Sequence, residues 1–535
     1  MNRTPKLGLA ILLVIAVYVV TALWKLLSFS SWQDISWIIG DPYYQHVVKF
    51  SFLQASASTL LSVGLAIPVA HALSRRHFFG RDILLKLFAT TLVLPVLIGV
   101  FGILAIYGQQ GLLAKLFALY GTEMPFSIYG LSGILLTHVF FNLPFSARLL
   151  LTSIESVPIE QRKLASQLGM NSWQVFKFAE WPRLKQHLPH VVGLVFMLCF
   201  TSFATVMALG GGPKATTIEL AIYQAIKFDF DLQTGAALAL GQMLFCASLV
   251  LLLGRFHSQP QSRSHYGAVE GIFIRDSRLK KSWDSFWIMG VLVLLLPPLA
   301  SIVVAGLNPK LIEVLSHEKF WHALFNSFKV ALMSASLALV SGILLLQSSR
   351  HLRLQGQLNR ANGVEFIGSI ILVTPALVLS TATFLLFRTL SDVFSLAFVI
   401  VVLVNALMAL PYVIKTLSSP MYRLAQQYTL LWQHLGIKGG SGFRLMEWRA
   451  LRSSIVYAFS ISFVLSLGDL TVIALFGSQD FNTLPLYLYQ LLGSYQMEAA
   501  GVVSLVLFAI SIGVFVIIEK ISHEKGEVSG VSSNA

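Results

Sequence analysis

VPIEQRKLASQLGMNSWQVFKFAEWPRLKQHLP, residues 157–189, is polar, basic and patterned for helix, yet it lies between two apolar stretches. These are Leu131–Leu151 and Val191–Gly210, each long enough to cross a bilayer. Connections in compact folds are usually short, so a structured loop of this length needs a reason. A segment with the same layout returns at residues 417–455. Gly169 corresponds to Gly436 at an offset of 267, and the same offset relates Glu180-Trp181 to Glu447-Trp448, Leu143-Pro144 to Leu410-Pro411 and Gly210 to Gly477. The two segments read as paired docking sites for a partner outside the membrane.

The composition agrees. Of 535 residues, 56% are hydrophobic and 12% charged, with a mean hydropathy of +0.75; soluble domains run near ~25% charged. The fold class expected is an all-α polytopic membrane protein. A net charge of +14 could suggest nucleic acid, but its placement argues otherwise. Arg and Lys gather in every second loop: Arg75, Arg76, Arg81 and Lys86; the 158–189 loop; Arg255–Lys281; Arg350, Arg353 and Arg360; and the second long loop. The intervening loops carry Asp34 and Asp41, or Glu219, Asp229 and Asp231. This is the positive-inside pattern of short cytoplasmic loops, with both termini cytoplasmic and no nucleic-acid partner. Cys199 and Cys246 sit in apolar runs and read as small core residues. The run Leu7–Leu27 reads as a retained first span, because no A-x-A-like site follows it.

Twelve spans are expected. Six are Leu7–Leu27, Val47–Leu73, Leu84–Tyr107, Leu131–Leu150, Val191–Gly210 and Ala236–Gly254. After a polar cytoplasmic linker at 255–284 come Ser285–Leu307, Ala323–Leu346, Phe366–Phe387, Leu396–Ile414, Val456–Phe476 and Ala499–Ile518. His46 and Phe50-Ser51-Phe52 are echoed by His322 and Asn326-Ser327-Phe328 at an offset of 276, and LVLPVLIGVFGILAIY (92–107) by LVTPALVLSTATFLLF (372–387). The chain therefore reads as two tandem six-helix modules in the same orientation. They are 1–254 (core 47–254, long loop 158–189) and 285–520 (core 322–518, long loop 417–455), followed by a cytoplasmic tail at 521–535. A substrate path at the interface of the modules is the natural inference.

Within the first loop Gly169 suits the C-terminal cap of one helix. Met170, Trp173 and Phe176, spaced by three, fall near one face of a short helix that Asn171 or Ser172 can cap and that Pro182 is expected to stop. Such an amphipathic helix suits a membrane surface or a groove on a partner. Its duplication favours a two-fold partner.

The loop resembles the EAA motif of ABC-importer permease subunits, EAA-x3-G-x9-I-x-LP. Gly169 matches the motif glycine, Ala165 the second alanine and Pro182 the final proline. Lys163 and Leu164 depart from it, as does Trp181, and Glu160, one turn earlier, is placed to take the acidic role. The second copy keeps Gly436 but has Leu430, Leu431 and Trp432 at the EAA positions and Arg449 at the proline. The resemblance implies a type I permease fold and two ATPase-coupling loops. The first comprises Glu160, Ala165, Gly169, Met170, Asn171, Ser172, Trp173, Phe176 and Pro182, and the second Trp432, Leu435, Gly436, Ile437 and Glu447. The chain carries no G-x-x-x-x-G-K-[ST] phosphate loop, so the expected partners are cytoplasmic ABC ATPase subunits, in two copies, and a periplasmic binding protein. HVFFNLPFSARLLL (138–151), EQRKLASQLGM (160–170), FKFAEWPRL (176–184) and FMLCFTSFATVMALGGGPKATTIELAIYQAI (196–226) are similar to the fused permeases of bacterial thiamine importers. This likeness alone implies thiamine, with its phosphate esters as an extension, as the cargo, a thiamine-binding protein as the periplasmic partner and the bacterial inner membrane as the location.

Asp469 lies inside an apolar span, an expensive placement, with Ser202 as its first-half counterpart. Two readings stand side by side: a polar group in the translocation path, or a helix-end carboxylate beside Gly468. Asn142 before Leu143-Pro144, and Asn405 before Leu410-Pro411, either line the path or mark packing kinks. Gly210–Pro213 reads as a membrane-exit turn, and Glu180 and Glu447 as partners of nearby Arg. No residue set suggests catalysis, a cofactor or a metal; His187 and His190 lack a supporting cluster. A secondary transporter is the first rival class, disfavoured by the two long loops and sparse intramembrane charge. A membrane enzyme is the second, and within the permease class ferric iron or polyamines are the alternative cargoes.

Overall fold

The computed structural model describes residues 6–30, 32–254, 277–369, 371, 374–388, 393, 395–434 and 447–530. All regular structure among them is helical. This follows from the solvent: a bilayer core offers no water to backbone N–H and C=O groups, and a helix satisfies them within one segment.

In chain order the first half contains α1 (Lys6–Phe29), α2 (Pro42–Arg75), α3 (Arg81–Val93), α4 (Val96–Tyr107), α5 (Leu131–Glu155), α6 (Ile159–Gln167) and α7 (Ser172–Val175). A π-helical turn, Phe176–Glu180, leads to α8 (Trp181–Phe200), α9 (Phe203–Leu209), α10 (Ile218–Lys227) and α11 (Leu232–Gly254). The second half contains α12 (Arg278–Gly306), α13 (Glu318–Leu354), α14 (Leu358–Gly368), α15 (Ala376–Arg388) and α16 (Ala397–His434). It ends with α17 (Trp448–Leu467), α18 (Thr471–Phe476), α19 (Leu484–Gly493) and α20 (Met497–Gly530).

Among the described residues, ten helices are long and apolar enough to cross a membrane, or eleven if Ser172–Phe200 and Phe203–Leu209, bent by 49°, form one span. The expected twelfth span, Phe366–Phe387, is the difference. Phe366–Gly368 end α14, and the apolar helix of this stretch is the 13-residue α15, which starts directly after Thr374-Pro375. The expected continuous span Leu84–Tyr107 is likewise two helices, broken at Leu94-Pro95. Proline has no N–H to continue the ladder, and it drives the preceding residue out of the α region. Leu94 is accordingly extended (φ −64°, ψ 126°).

The chain forms two compact units, which do not coincide with the sequence repeats. One comprises residues 41–220 and 244–305; the other comprises 1–40, 221–243 and 306–535. In the first unit α2 packs along α5, with α8 against both. Small residues make this possible: Ser51, Ala55, Ser58, Thr59, Ser62, Ala66 and Ala70 form a buried stripe down α2. Without water to drive association, membrane helices gain from close van der Waals approach along such stripes. Ser58 Oγ meets the Nδ1 atom of buried His138 on α5 at 2.8 Å. Helix α12, from the second half, belongs to this unit: Arg76 Nε donates to Asp284 Oδ2 at 2.7 Å, and Ser301 Oγ to the Gly102 carbonyl at 3.1 Å.

The other unit repeats the arrangement. Ser327, Ala331, Ser334, Ala335, Ala338 and Gly342 form the stripe on α13, each 276 residues beyond its α2 counterpart. They face α16, where Ser334 Oγ donates to the Val402 carbonyl at 3.1 Å. Here α1 supplies the extra helix. Gly8 lies against the Leu344 carbonyl and Tyr18 hydrogen-bonds Thr383. Ser334→Leu, which inserts a branched side chain into this seam, is expected to destabilise the fold by roughly 1–3 kcal/mol. A lower melting temperature of the detergent-solubilised variant is the readout.

Candidate functional site

The first long loop is a mounted structure. Helix α6 ends in a turn in which the Met170 N–H reaches back to the Ala165 carbonyl at 3.0 Å. Gly169 sits there at φ +65°, the left-handed conformation glycine adopts without steric cost. Ala165 is buried beneath the turn, while Glu160 is exposed. The Asn171 side chain accepts the Gln174 N–H at 3.0 Å and the Gln174 side chain takes the Asn171 N–H at 2.8 Å, a reciprocal cap for α7. Ser172 is buried and accepts from Arg75 at 3.0 Å.

The expectation that Pro182 stops this short helix is corrected. The chain continues through the π turn into α8, with Pro182 exposed in its first turn. The widened turn, in which the Trp181 N–H bonds to the Phe176 carbonyl, accommodates a residue that can donate nothing to the ladder. The result places Trp173, 66% exposed, over Phe176 at 5.6 Å between ring centroids, with Trp181 at 5.9 Å and His71 at 5.0 Å from the same ring. Leu164, Leu168 and Phe178 are also exposed, and Met170 is half-buried. The loop thus presents apolar side chains on a base fixed by polar contacts.

Those contacts converge on Glu180. It is 4% exposed, and its Oε2 lies 2.8 Å from His71 Nδ1 near the end of α2; Arg75 approaches the other ring nitrogen at 3.1 Å. In the second half Glu447 is equally buried and lies 2.6 Å from Arg350 near the end of α13. Sequence reasoning paired both carboxylates with Arg; it missed His71, whose one signal is its i,i+4 spacing from Arg75. Trp432 lies near the end of α16, and Leu435, Gly436 and Ile437 fall outside the described residues.

The candidate path residues sit at helix breaks. In the first half Asn142 on α5 donates to Cys199 Sγ at 3.3 Å, and Gln54 donates to the Cys199 carbonyl at 2.9 Å. Ser202 is half-buried and occupies the break between α8 and α9. In the second half Asn405 on α16 donates to Ser466 Oγ at 3.1 Å. Cys199 and Ser466 are again 267 residues apart. Asp469 is a helix-end carboxylate: its two oxygens accept the Thr471 and Val472 N–H groups, each at 3.1 Å, at the start of α18. The other end of α18 is held by Lys227, which donates to the Leu475 and Gly477 carbonyls at 3.0 and 3.1 Å. Opposite charges thus complement the two ends of one buried six-residue helix, each worth ~0.3–1 kcal/mol by its dipole. Burial lowers the pKa of the Lys227 ammonium. No local pattern marks this lysine, because its partners are backbone atoms far along the chain.

Helices α10 and α19 occupy equivalent places between spans. Ser51 accepts the first N–H of α10, from Ile218, at 2.9 Å, and Ser327 that of α19, from Leu484, at 2.7 Å. Burial first, and then the Tyr489 phenol of α19, push Tyr223 of α10 up to about 12.

An internally duplicated chain whose described residues are helical, with ten or eleven spans among them and a structured polar loop carried on a membrane helix, has the build of a membrane component of a transport system. Comparison with known proteins gives the family. The family described as "Binding-protein-dependent transport system inner membrane component" matches residues 62–263. The chain is 46% identical over 516 residues to the thiamine transport system permease protein ThiP of Salmonella typhimurium, covering 96% of this chain and 95% of that protein. It is 47% identical over 508 residues to the protein of that name from Escherichia coli and 42% identical over 473 residues to that of Haemophilus influenzae. The chain belongs to the inner-membrane permeases of binding-protein-dependent transport systems.

Nothing lies within 4 Å of a Cβ built on Gly169, so the cost of Gly169→Ala is conformational: about 1–2 kcal/mol for the left-handed backbone. Faster amide exchange across residues 159–180 is the expected result. Glu447→Ala strips a buried carboxylate from Arg350 and is expected to cost about 3 kcal/mol. Thermal unfolding of the purified protein measures it.

Proposed function

We propose that this chain is the permease subunit of an ABC importer that carries thiamine across the bacterial inner membrane, driven by a separate ATPase. The carrying observation is the 42–47% identity to three thiamine permeases over nearly the whole of each chain. Two cytoplasmic ATPase subunits would meet the two long loops, and a periplasmic thiamine-binding protein would deliver the substrate. Both termini would lie in the cytoplasm, and the duplicated cores at 47–254 and 322–518 would serve as the working modules.

The geometry supplies a route for force. A partner pressing on Trp173, Phe178 and Leu168 loads a loop tied to α2 through Glu180–His71 and Ser172–Arg75. The same loop runs without interruption into α8, whose far end is the break at Thr201-Ser202. Movement at the loop therefore reaches the break as displacement of one stiff helix, rather than dissipating in a flexible linker. At the equivalent break of the second half Asp469 and Asn405, the latter bonded to Ser466, would be polar groups facing the substrate. Asp469 is already engaged by two backbone N–H groups, and among the described residues it is not part of a cluster that could hold a metal ion, which favours an organic cation over ferric iron.

Uptake of radiolabelled thiamine by cells deleted for the gene tests this reading. Complementation with the chain and its ATPase together should restore uptake, and the chain alone should not. Uptake without the ATPase would indicate a secondary carrier. Absent uptake with the ATPase still co-purifying would leave the permease class and exclude thiamine.

A further inference from the structure

Two non-glycine residues among the described ones have positive φ: Phe230 at +54° and Tyr495 at +59°. They are repeat counterparts. Phe230 follows α10 and Tyr495 follows α19, 265 residues apart, within one residue of the offset of 266 that relates Ile218 to Leu484. Tyr495 occupies the left-handed position just past the cap of α19, and Phe230 a left-handed position three residues past the end of α10. Beyond them the Asp231 N–H returns to the Ala225 carbonyl at 2.8 Å and the Gln496 N–H to the Leu491 carbonyl at 3.0 Å. Glycine or asparagine is the residue such a helix end favours. A bulky aromatic there is a strained choice, and strained residues that persist are concentrated at functional positions.

The rings contribute nothing to the core: Phe230 is 79% exposed and Tyr495 74%. Turn geometry alone would select glycine, and packing alone would bury the ring. An aromatic in this conformation, twice, is explained by something that meets it from outside. With the bent pair Ser172–Phe200 and Phe203–Leu209 taken as one span and Trp448–Phe476 as its counterpart, each lies one crossing beyond its long loop, and so on the opposite side of the membrane from those loops. Exposed carboxylates flank the rings: Asp229 and Asp231 beside Phe230, the latter also capping Thr234, and Glu498 near Tyr495, in a solvent-exposed pair with Lys310 at 3.9 Å. Carboxylates are poorly suited to an anionic lipid surface, and they complement a soluble partner with a basic rim. Exposed aromatics are common anchors of protein interfaces.

We propose that Phe230 and Tyr495 are a pair of aromatic anchors that dock the water-soluble substrate-binding protein, with Asp229 and Glu498 meeting basic residues on its surface. This rests on the importer reading above.

The test uses the full permease–ATPase complex in nanodiscs of phosphatidylethanolamine and phosphatidylglycerol, titrated with the purified binding protein while ATP hydrolysis is followed. Phe230→Gly with Tyr495→Gly removes both rings and also relieves the backbone. The melting temperature should therefore stay level or rise, while the half-saturating concentration of binding protein rises at least tenfold and the maximal rate is kept. Asp229→Asn should raise the half-saturation further and reduce its salt dependence. An unchanged half-saturation in the double glycine variant overturns the proposal and assigns the rings to the bilayer interface. A wild-type complex that does not respond to binding protein at all overturns the importer reading and this inference with it, and that result is visible before any variant is made.

Discussion

A buried carboxylate facing a basic side chain at the foot of a membrane helix is the contact on which the functional architecture depends. Glu180 is out of water, and a buried carboxylate without a partner is costly. His71 therefore fixes the position of the chain between the loop and α8 relative to the end of α2. Around that point Arg75 holds Ser172, the Asn171–Gln174 cap closes α7, and the π turn carries the backbone past Pro182. Remove the carboxylate contact and the exposed aromatic surface would remain, but on a base free to move independently of the membrane helices.

The duplication shows which features the architecture tolerates losing. The carboxylate, the small-residue stripe and the serine that caps each outer helix recur in both halves. The partners diverge: His71 in one half is Arg350 in the other, and Ser202 at one helix break is Asp469 at its counterpart. Lys227 has Gly493 at the equivalent place, so the charge clamp on α18 exists once. Framework contacts are thus repeated, while charged groups near the helix breaks differ between the halves.

Much of this was legible in the sequence. Hydropathy gave the helical membrane fold, and fixed offsets of 267 and 276 gave the repeat. The glycine, the cap and the aromatic spacing located the first loop, because each depends on residues within a turn or two of one another. What was not legible depends on residues far apart in the chain or on the competition between local rules. Proline breaks the helix at Pro95 and Pro375, where hydropathy alone had run one span through each, yet Pro182, expected to stop a helix, lies in one because the π turn absorbs it. The grouping of α1 with the second half and of α12 with the first left no periodic signal, and it rests on contacts such as Gly8 with Leu344 and Arg76 with Asp284. His71 and Lys227 were missed for the same reason.

On the proposed function, the first long loop would be a rigid seat for the ATPase. Replacing Trp173 with a photo-crosslinking phenylalanine analogue in cells that express the whole transport system tests it most directly. Irradiation should join the chain to the ATPase subunit, and the yield should fall when Glu180 is replaced by Ala. A product confined to lipid, or an ATPase adduct whose yield ignores Glu180, would contradict the account.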